Sequence, residues 1–89
     1  MASFRLDFKP SVEKDFRSIP KEVASRVWAK IEALASNPLP PGSVKLSGSD
    51  ALHRIRVGDY RVIYAIQEQD LVLVLKIGHR RDIYRRFLG

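Results

Sequence analysis

Cysteine is absent from this 89-residue sequence, and histidine occurs only twice. The lack of thiols excludes a disulfide framework and thiolate-bound metal, and two histidines offer too few ligands for structural zinc. No apolar run is longer than residues 71–75, far short of the roughly 20 residues that a membrane-spanning helix needs. Arg5, Asp7 and Lys9 interrupt the start, which therefore lacks a signal-peptide pattern. We expect a cytoplasmic protein with no cofactor.

Acidic side chains are in the minority, since ten aspartates and glutamates face sixteen lysines and arginines, for a net charge of +6 at pH 7. Such a balance favours an acidic partner, whether nucleic acid, a ribosome, an anionic membrane surface or an acidic protein. The length predicts a single domain over residues 1–89 with one modest core.

The N-terminal half predicts one strand followed by a helical hairpin. Apolar and charged residues alternate over residues 4–8, which is the period of a strand with one buried face. Two stretches of helical apolar spacing follow, over residues 11–19 and 21–36, with Pro20 between them. Trp28 falls on the apolar stripe of the second helix, so we assign it to core packing rather than base stacking.

Residues 38–51 are rich in proline, glycine and serine and predict a loop. A loop of this length in a small domain is usually functional or held by a few anchors. We expect Val44 and Leu46 to be the anchors and Lys45 to face a ligand.

The C-terminal half predicts a hairpin, a third strand and a short basic helix. Gly58-Asp59 separates two alternating runs and is a two-residue turn signal. Residues 71–77 predict a strand that is apolar on both faces and belongs in the middle of a sheet, and residues 80–87 predict the helix. The predicted order is β-α-α-β-β-β-α, an α+β fold with the helical hairpin on one face of a mainly antiparallel sheet.

The hairpin turn determines which side chains share a face. With Gly58 and Asp59 in the loop, Arg56 stands opposite Arg61. One face is apolar and meets the helices, and the other carries Arg54, Arg56, Arg61, Ile63 and Ala65. Like charges directly opposite on a sheet are destabilising, and no acid falls on this patch. We interpret it as an anion site with a phosphodiester as the natural ligand; the alternative is a solvated outer face.

Catalysis at such a patch needs a proton-transfer group, which an arginine cannot be because its guanidinium stays protonated. His79 has the side-chain type that titrates near neutral pH, and Tyr84 can carry a proton or stack on a base. The alternatives are a hydrogen-bonded strand-end residue for His79 and a hydrophobic cover for Tyr84. No acidic pair near the patch indicates a Mg²⁺ site, so the sequence favours attack by the RNA 2′-hydroxyl.

Three segments, KLSG at 45–48, HRIRVGDYRVIY at 53–64 and IGHRRDIYR at 77–85, resemble the RelE side of the RelE/ParE superfamily of bacterial and archaeal toxins. The resemblance covers essentially the whole chain. It implies a compact α+β domain similar to small microbial ribonucleases, and metal-free cleavage of mRNA in the ribosomal A site by 2′-hydroxyl attack. It also implies a cognate antitoxin, with the ribosome and mRNA as further partners and no membrane.

The resemblance implies roles for individual residues. Arg61 matches the family's phosphate-binding arginine, Arg80 the arginine after the last strand, and Tyr84 the tyrosine of the C-terminal helix. Arg54 and Arg56 stand where the best-known member has two lysines, and a lysine can act as a base where an arginine scarcely can.

The role of proton acceptor is therefore open, and His79, beside Arg80, is our candidate for it. The residues expected to take part in catalysis are Arg61, Arg80, Tyr84 and His79. Those expected to hold phosphate are Arg54, Arg56, Lys45 and Arg81.

Two other functions stay open. A ParE-like toxin would inhibit DNA gyrase by binding alone, which requires neither the arginine patch nor the pair of Arg80 and Tyr84. A RelE homologue of weakened activity is the other, because arginines replace the lysines. Gyrase inhibition that leaves mRNA intact would identify the first.

Overall fold

A computed structural model describes residues 3–46, 48, 51–83 and 85 of the chain. The elements along this described part are β1 (Arg5–Phe8), α1 (Ser11–Arg17), α2 (Lys21–Leu34), β2 (Val44–Lys45), β3 (Leu52–Val57), β4 (Tyr60–Gln67), β5 (Leu71–His79) and α3 (Arg80–Ile83). The α+β fold is confirmed. The predicted order holds with one addition, the two-residue strand β2 within the predicted loop.

The strands form one five-stranded sheet in the order β1-β5-β4-β3-β2. β1 runs parallel to β5, and the other neighbouring pairs are antiparallel. β5 lies between β1 and β4, in agreement with its two apolar faces. β1 and β2 are the two edge strands, so the connection between them, which contains α1 and α2, crosses one face of the sheet.

The main core lies between that face and the helices. From α2 it takes Val27, Ile31 and Leu34, which are fully buried. The sheet contributes Ile55, Val57, Val62, Tyr64, Val72, Val74 and Ile77. Burying each aliphatic side chain contributes roughly 1.5–3 kcal/mol relative to leaving it in water. A one-residue slip would expose this whole set, so the register that turns the arginines outward is strongly fixed.

Two side chains predicted to be buried lie at the surface. Trp28 is 43% exposed, and its ring stacks on Phe8 with 5.6 Å between centroids, so it covers the margin of the core instead of filling it. Val44 is also 43% exposed, because β2 is an edge strand of the sheet. Of the two predicted loop anchors, only Leu46 is buried.

The second face of the sheet is less open than the hairpin pattern predicts. Ile63 and Ala65, which share this face with the arginines, are only 1% and 4% exposed. Leu46 from the loop and Ile83 from α3 pack against Ile63 in a small second core. The expectation of a fully bare face is therefore wrong, and its open part is confined to the end near the hairpin turn.

A buried carboxylate that no sequence pattern singles out ties α1 to the sheet. Asp15 Oδ1 pairs with Lys76 Nζ at 2.7 Å, and the Ile77 N–H donates to Asp15 Oδ2 at 3.1 Å. β1 pairs with β5 only as far as Val74, so Asp15 takes the place of a strand partner for the next part of β5. This contact fixes α1 beside the C-terminal end of β5.

Candidate functional site

The candidate site is built at the hairpin turn. β3 and β4 pair in the predicted register, with Val57 opposite Tyr60 and Arg56 opposite Arg61. Gly58 has a φ of +60°, a conformation that glycine adopts without the steric cost of a side chain. The tight two-residue loop brings both arginines to the same end of the sheet.

The guanidinium groups of Arg56 and Arg61 converge on one carbonyl. Arg61 Nη1 donates to the Gly58 oxygen at 3.0 Å and to the Tyr60 oxygen at 3.0 Å. Arg56 Nε donates to the same Gly58 oxygen at 3.3 Å. Among the described residues, no carboxylate forms an ion pair with Arg54, Arg56 or Arg61. Within the described part of the chain these charges have no ion-pair partner, and the N–H donors that remain after the bonds to Gly58 and Tyr60 suit an anion.

The pKa of Arg61 is affected by burial and by the positive charges around it. Burial lowers the pKa of Arg61 below its ordinary value, and the charges of Arg56, Arg54 and Arg80 lower the pKa further. Asp59 acts in the opposite direction. The guanidinium remains protonated at any working pH, so the lowered pKa reflects burial first and repulsion from the neighbouring arginines second, and not a loss of charge. An anion bound here relieves that repulsion.

Helix α3 brings Arg80 to the same turn. The Arg80 backbone N–H donates to the Asp59 oxygen at 2.7 Å, which fixes the start of the helix against the loop. Arg80 Nε lies 3.8 Å from Asp59 Oδ1, but both side chains are more than half exposed, so this ion pair contributes about 1 kcal/mol at most. The guanidinium of Arg80 can therefore leave Asp59 for a ligand. We call Arg54, Arg56, Arg61 and Arg80 the arginine cluster.

Arg26 on α2 adds a fifth cation to this region. A Cβ placed on Gly58 would lie 3.7 Å from Arg26 Nη2, so the guanidinium rests against the turn. In the sequence Arg26 lies off the apolar stripe of α2, as a solvated residue would. Arg26 lies near the turn because of the way α2 crosses β3, and no sequence pattern predicts that crossing.

His79 lies on the other face of the sheet from the arginine cluster. Arg61 pairs with Gly78, and the next pair along, Tyr60 with His79, points to the opposite face. The His79 ring meets the edge of the Tyr60 ring with 5.5 Å between centroids, in a cleft of about 280 Å³ beside α1. Its Nδ1 accepts a hydrogen bond from the Arg81 N–H at 3.2 Å. The structure does not bring His79 to the arginine cluster.

The other predicted site residues are also separated from the cluster or undescribed. Lys45 pairs with His53, whose side chain faces the main core, so Lys45 points to the helix side of the sheet. Arg81 is exposed in α3. Tyr84 lies outside the described residues. Of the predicted site residues that the structure describes, it brings together only the four of the arginine cluster.

Neither a metal site nor a membrane-spanning helix is found among the described residues. No group of three or more histidine, cysteine, aspartate or glutamate side chains is placed there to hold a metal ion. Within the same ranges, no helix has the length and apolar character needed to cross a membrane.

Known proteins share both the sequence and the fold. Residues 6–84 match the family described as the ParE toxin of the type II toxin–antitoxin system parDE. The chain is 30% identical over 86 residues to the putative toxin RelE1 of Methanocaldococcus jannaschii, and the match covers 92% of this chain and 96% of that protein. It is 31% identical over 88 residues to the toxin RelG of Mycobacterium tuberculosis, and that match covers 93% of this chain and 98% of RelG.

Among solved structures, the fold is similar to a chain of the archaeal RelE–RelB complex from Pyrococcus horikoshii OT3. The TM-score is 0.77 at 32% identity, and the match covers 88% of this chain and 96% of that one. Sequence match, fold match and the ordered arginine motifs agree with one another. This chain belongs to the RelE/ParE superfamily of type II toxins.

Proposed function

We propose that this protein is a ribosome-dependent endoribonuclease that cleaves mRNA in the ribosomal A site and so stops translation. The observation that carries the proposal is the convergence of Arg56 and Arg61 on one carbonyl, at a turn that Arg80 also approaches. Several guanidinium groups around one point suit a ligand whose charge is spread over several oxygens, and a phosphodiester is such a ligand. Similarity to the toxins named RelE1 and RelG supports the same conclusion.

In the proposed reaction, the 2′-hydroxyl of one ribose attacks the adjacent phosphorus. The O2′–P bond forms, the P–O5′ bond breaks, the hydroxyl proton is removed, and the leaving O5′ receives a proton. The products are a 2′,3′-cyclic phosphate and a 5′-hydroxyl. Negative charge on the non-bridging oxygens rises in the transition state, so fixed guanidinium groups lower the barrier without a metal ion.

The arginine cluster holds charge but does not move protons. We assign proton transfer to Tyr84 because it matches the tyrosine of the family's C-terminal helix. His79 is better suited to fixing the start of α3, since its Nδ1 accepts the Arg81 N–H. The ribosome contributes by aligning the 2′-hydroxyl with phosphorus, and alignment alone can remove a large part of a barrier.

A cognate antitoxin is the partner that this function requires in the cell. A solved relative of this chain is a RelE–RelB complex. An antitoxin segment with acidic and apolar side chains would suit the arginine cluster and would block access of RNA phosphate. Both proteins would act in the cytoplasm, where ribosomes and mRNA are.

Inhibition of DNA gyrase is the second candidate, and the match to a family described as a ParE toxin favours it. A RelE homologue of weakened activity is a further alternative, favoured by the arginines at Arg54 and Arg56. Gyrase binding would not need four arginines near one turn, three of which have no ion-pair partner among the described residues. The three functions give different products, so one set of assays separates them.

The test is mRNA cleavage in a translating extract, with the cut positions mapped relative to the reading frame. We expect the wild type to cut at codon positions and Arg61→Ala to lose the cut while keeping the fold. Arg5→Ala is the matched control, because Arg5 is an exposed cation on β1, at the far edge of the sheet from the hairpin. Inhibited DNA supercoiling with intact mRNA would support the gyrase alternative. If mRNA stays intact and DNA supercoiling also continues, the protein is an inactive homologue.

A further inference from the structure

A second concave surface lies next to the arginine cluster. It is a cleft of about 430 Å³ between α2, the loop at Pro40–Gly42 and the end of β3, with Arg56 on one wall and Lys30 on another. This volume falls within the roughly 300–1,000 Å³ of small-ligand sites. Because Arg56 belongs both to this cleft and to the arginine cluster, the two surfaces are continuous.

The cleft exists because the edge strand is short. β2 pairs with β3 through Val44 with Arg54 and Lys45 with His53, and among the residues that the structure describes β3 has no strand partner beyond Arg54 on that side. The Leu46 N–H donates to the Leu52 oxygen, and peptide groups alternate along a strand. The Arg56 peptide therefore turns its N–H and C=O toward the side that β2 leaves uncovered. A polar ligand in the cleft finds backbone groups there as well as side chains.

Positive charge continues from the hairpin turn into the cleft along α2. Arg26, whose guanidinium rests against the turn at Gly58, precedes Lys30 by one helical turn. Residues four apart lie on the same face of a helix, so Lys30 extends the line of cations toward the loop. Lys30 and Arg56 then face the cleft from its two sides. A chain of phosphates can follow this line away from the arginine cluster.

The remaining wall of the cleft is apolar. Pro40 and Pro41 contribute hydrocarbon surface to its lining, together with the small exposed part of Ile55. A ligand that suits such a site has a flat face of low polarity joined to a phosphate. A nucleotide within a single RNA strand has both parts, since its base can be splayed out and packed against a side-chain surface.

We propose that this cleft is the subsite for a nucleotide that flanks the attacked phosphodiester. Lys30 and Arg56 bind its phosphate, and Pro40, Pro41 and Ile55 pack against its base. This inference rests on the proposed ribonuclease function and names where the substrate strand leaves the arginine cluster. Lys30 is accordingly a binding residue that acts on substrate affinity, and it takes no part in the bond-breaking step.

The probe is a trinucleotide of 2′-O-methyl RNA, which cannot be cleaved because its 2′-oxygen is blocked. We titrate it into isotope-labelled protein and follow the NMR signals of Ala33 and Gly42 in the cleft and of Gly58 at the turn. We expect all three to shift together, and we expect Lys30→Ala to weaken binding roughly tenfold through loss of a charge-assisted phosphate contact. Signals that shift only at the turn would overturn the subsite, and so would a complete lack of binding.

Lys21→Ala is the matched control for the loss of one positive charge. Lys21 precedes Lys30 by nine residues on α2, which places it on the opposite side of the helix and roughly 13 Å away along the axis. We expect it to weaken trinucleotide binding by less than about twofold, since it alters only the long-range field. Equal losses in the two variants would mean that the effect is general electrostatics, and the subsite would be rejected.

A translating extract separates failure of the subsite from failure of the proposed function. If the wild type cuts mRNA and Lys30→Ala raises the half-saturating ribosome concentration without lowering the maximal rate, both proposals hold. If the wild type cuts and Lys30→Ala behaves as Lys21→Ala does, only the subsite is wrong. If the wild type does not cut at all, the ribonuclease proposal fails, and the substrate role of the cleft fails with it.

Discussion

Arg56 and Arg61 stand directly opposite each other on adjacent strands, and both donate to the carbonyl oxygen of Gly58. A single carbonyl dipole holds two positive groups that repel each other. That arrangement is poor for stability, because like charges opposite each other weaken a sheet. It is good for binding a phosphate, because the donors are already gathered before the ligand arrives.

Replacing one of these arginines should separate stability from function. We expect Arg56→Gln to leave the free energy of unfolding unchanged or to raise it by up to about 1 kcal/mol, because cross-strand repulsion disappears. The same variant should lower mRNA cleavage in the translating extract at least roughly tenfold, through loss of a phosphate contact. Urea denaturation and the cleavage assay measure the two quantities.

Arg5→Gln, on the far edge strand, serves as the control for Arg56→Gln and should change neither quantity appreciably. The stability gain of Arg56→Gln should also shrink at high salt, since salt screens exposed charges. A loss of unfolding free energy well above about 1 kcal/mol would show that Arg56 is a structural residue after all.

The turn itself should be sensitive to a side chain at Gly58. At φ +60° an alanine carries a backbone penalty of roughly 1–2 kcal/mol, whereas its Cβ would meet Arg26 Nη2 at an ordinary 3.7 Å. We therefore expect Gly58→Ala to lower the free energy of unfolding by about that amount through strain rather than collision. Gly58→Asn should cost less, because asparagine tolerates this conformation. Equal costs for the two variants would argue against backbone strain as the cause.

The contact between Asp15 and β5 should be the most costly polar interaction to break. Asp15→Ala leaves Lys76 without its partner and the Ile77 N–H without an acceptor, which should lower the free energy of unfolding by about 3 kcal/mol. Glu13→Ala, an exposed acid on the same helix, should change it by no more than about 0.5 kcal/mol. Urea denaturation of both variants is the measurement.

A double variant tests whether the cost of Asp15→Ala comes from uncompensated charge. In Asp15→Leu with Lys76→Met, neither charge remains, so the loss should be smaller than for Asp15→Ala alone. A double variant that is the less stable of the two would mean that the carboxylate contributes mainly through its hydrogen bond to Ile77.

Tyr64 should give stability a dependence on alkaline pH. Burial raises the pKa of Tyr64 above its ordinary 10.0, with a smaller opposing effect of the Ser43 side chain, and its hydroxyl donates to the Pro38 oxygen at 2.7 Å. Because the folded chain holds this proton more tightly than the unfolded chain, the stabilisation is complete below pH 10 and is lost as pH rises through the folded pKa.

Tyr64→Phe is the variant that isolates this effect. It should lower the free energy of unfolding at neutral pH by about 1–2 kcal/mol, because the Pro38 carbonyl loses its donor. It should also flatten the decline of stability above pH 10, which urea denaturation across a pH series measures. A decline as steep as in the wild type would assign the alkaline transition to another group.

The hairpin could be predicted from sequence because its signals are local. Gly58-Asp59 sets the turn, and two-residue alternation then fixes which face Arg54, Arg56 and Arg61 share. The fold class follows from helical and strand periodicities in the same way. These inferences need only neighbours along the chain, and the register observed between β3 and β4 is the predicted one.

The remaining features depend on how distant elements meet. His79 was predicted beside Arg80 because the two are adjacent in sequence, but the pairing of Tyr60 with His79 turns that ring to the other face. Arg26 and Asp15 reach their partners only through the placement of α2 and α1 on the sheet. Periodicity gives the face that a helix buries, but it does not give the residue on the facing element.

The most direct test of the central claim uses mRNA that carries a single 2′-deoxynucleotide at the position cut by the wild type. In a translating extract, unmodified mRNA should yield fragments ending in a 2′,3′-cyclic phosphate, and the modified mRNA should remain intact at that position because the attacking hydroxyl is missing. Cleavage of the modified mRNA at the same place, or fragments with a 3′-hydroxyl and a 5′-phosphate, would contradict 2′-hydroxyl attack assisted by the arginine cluster.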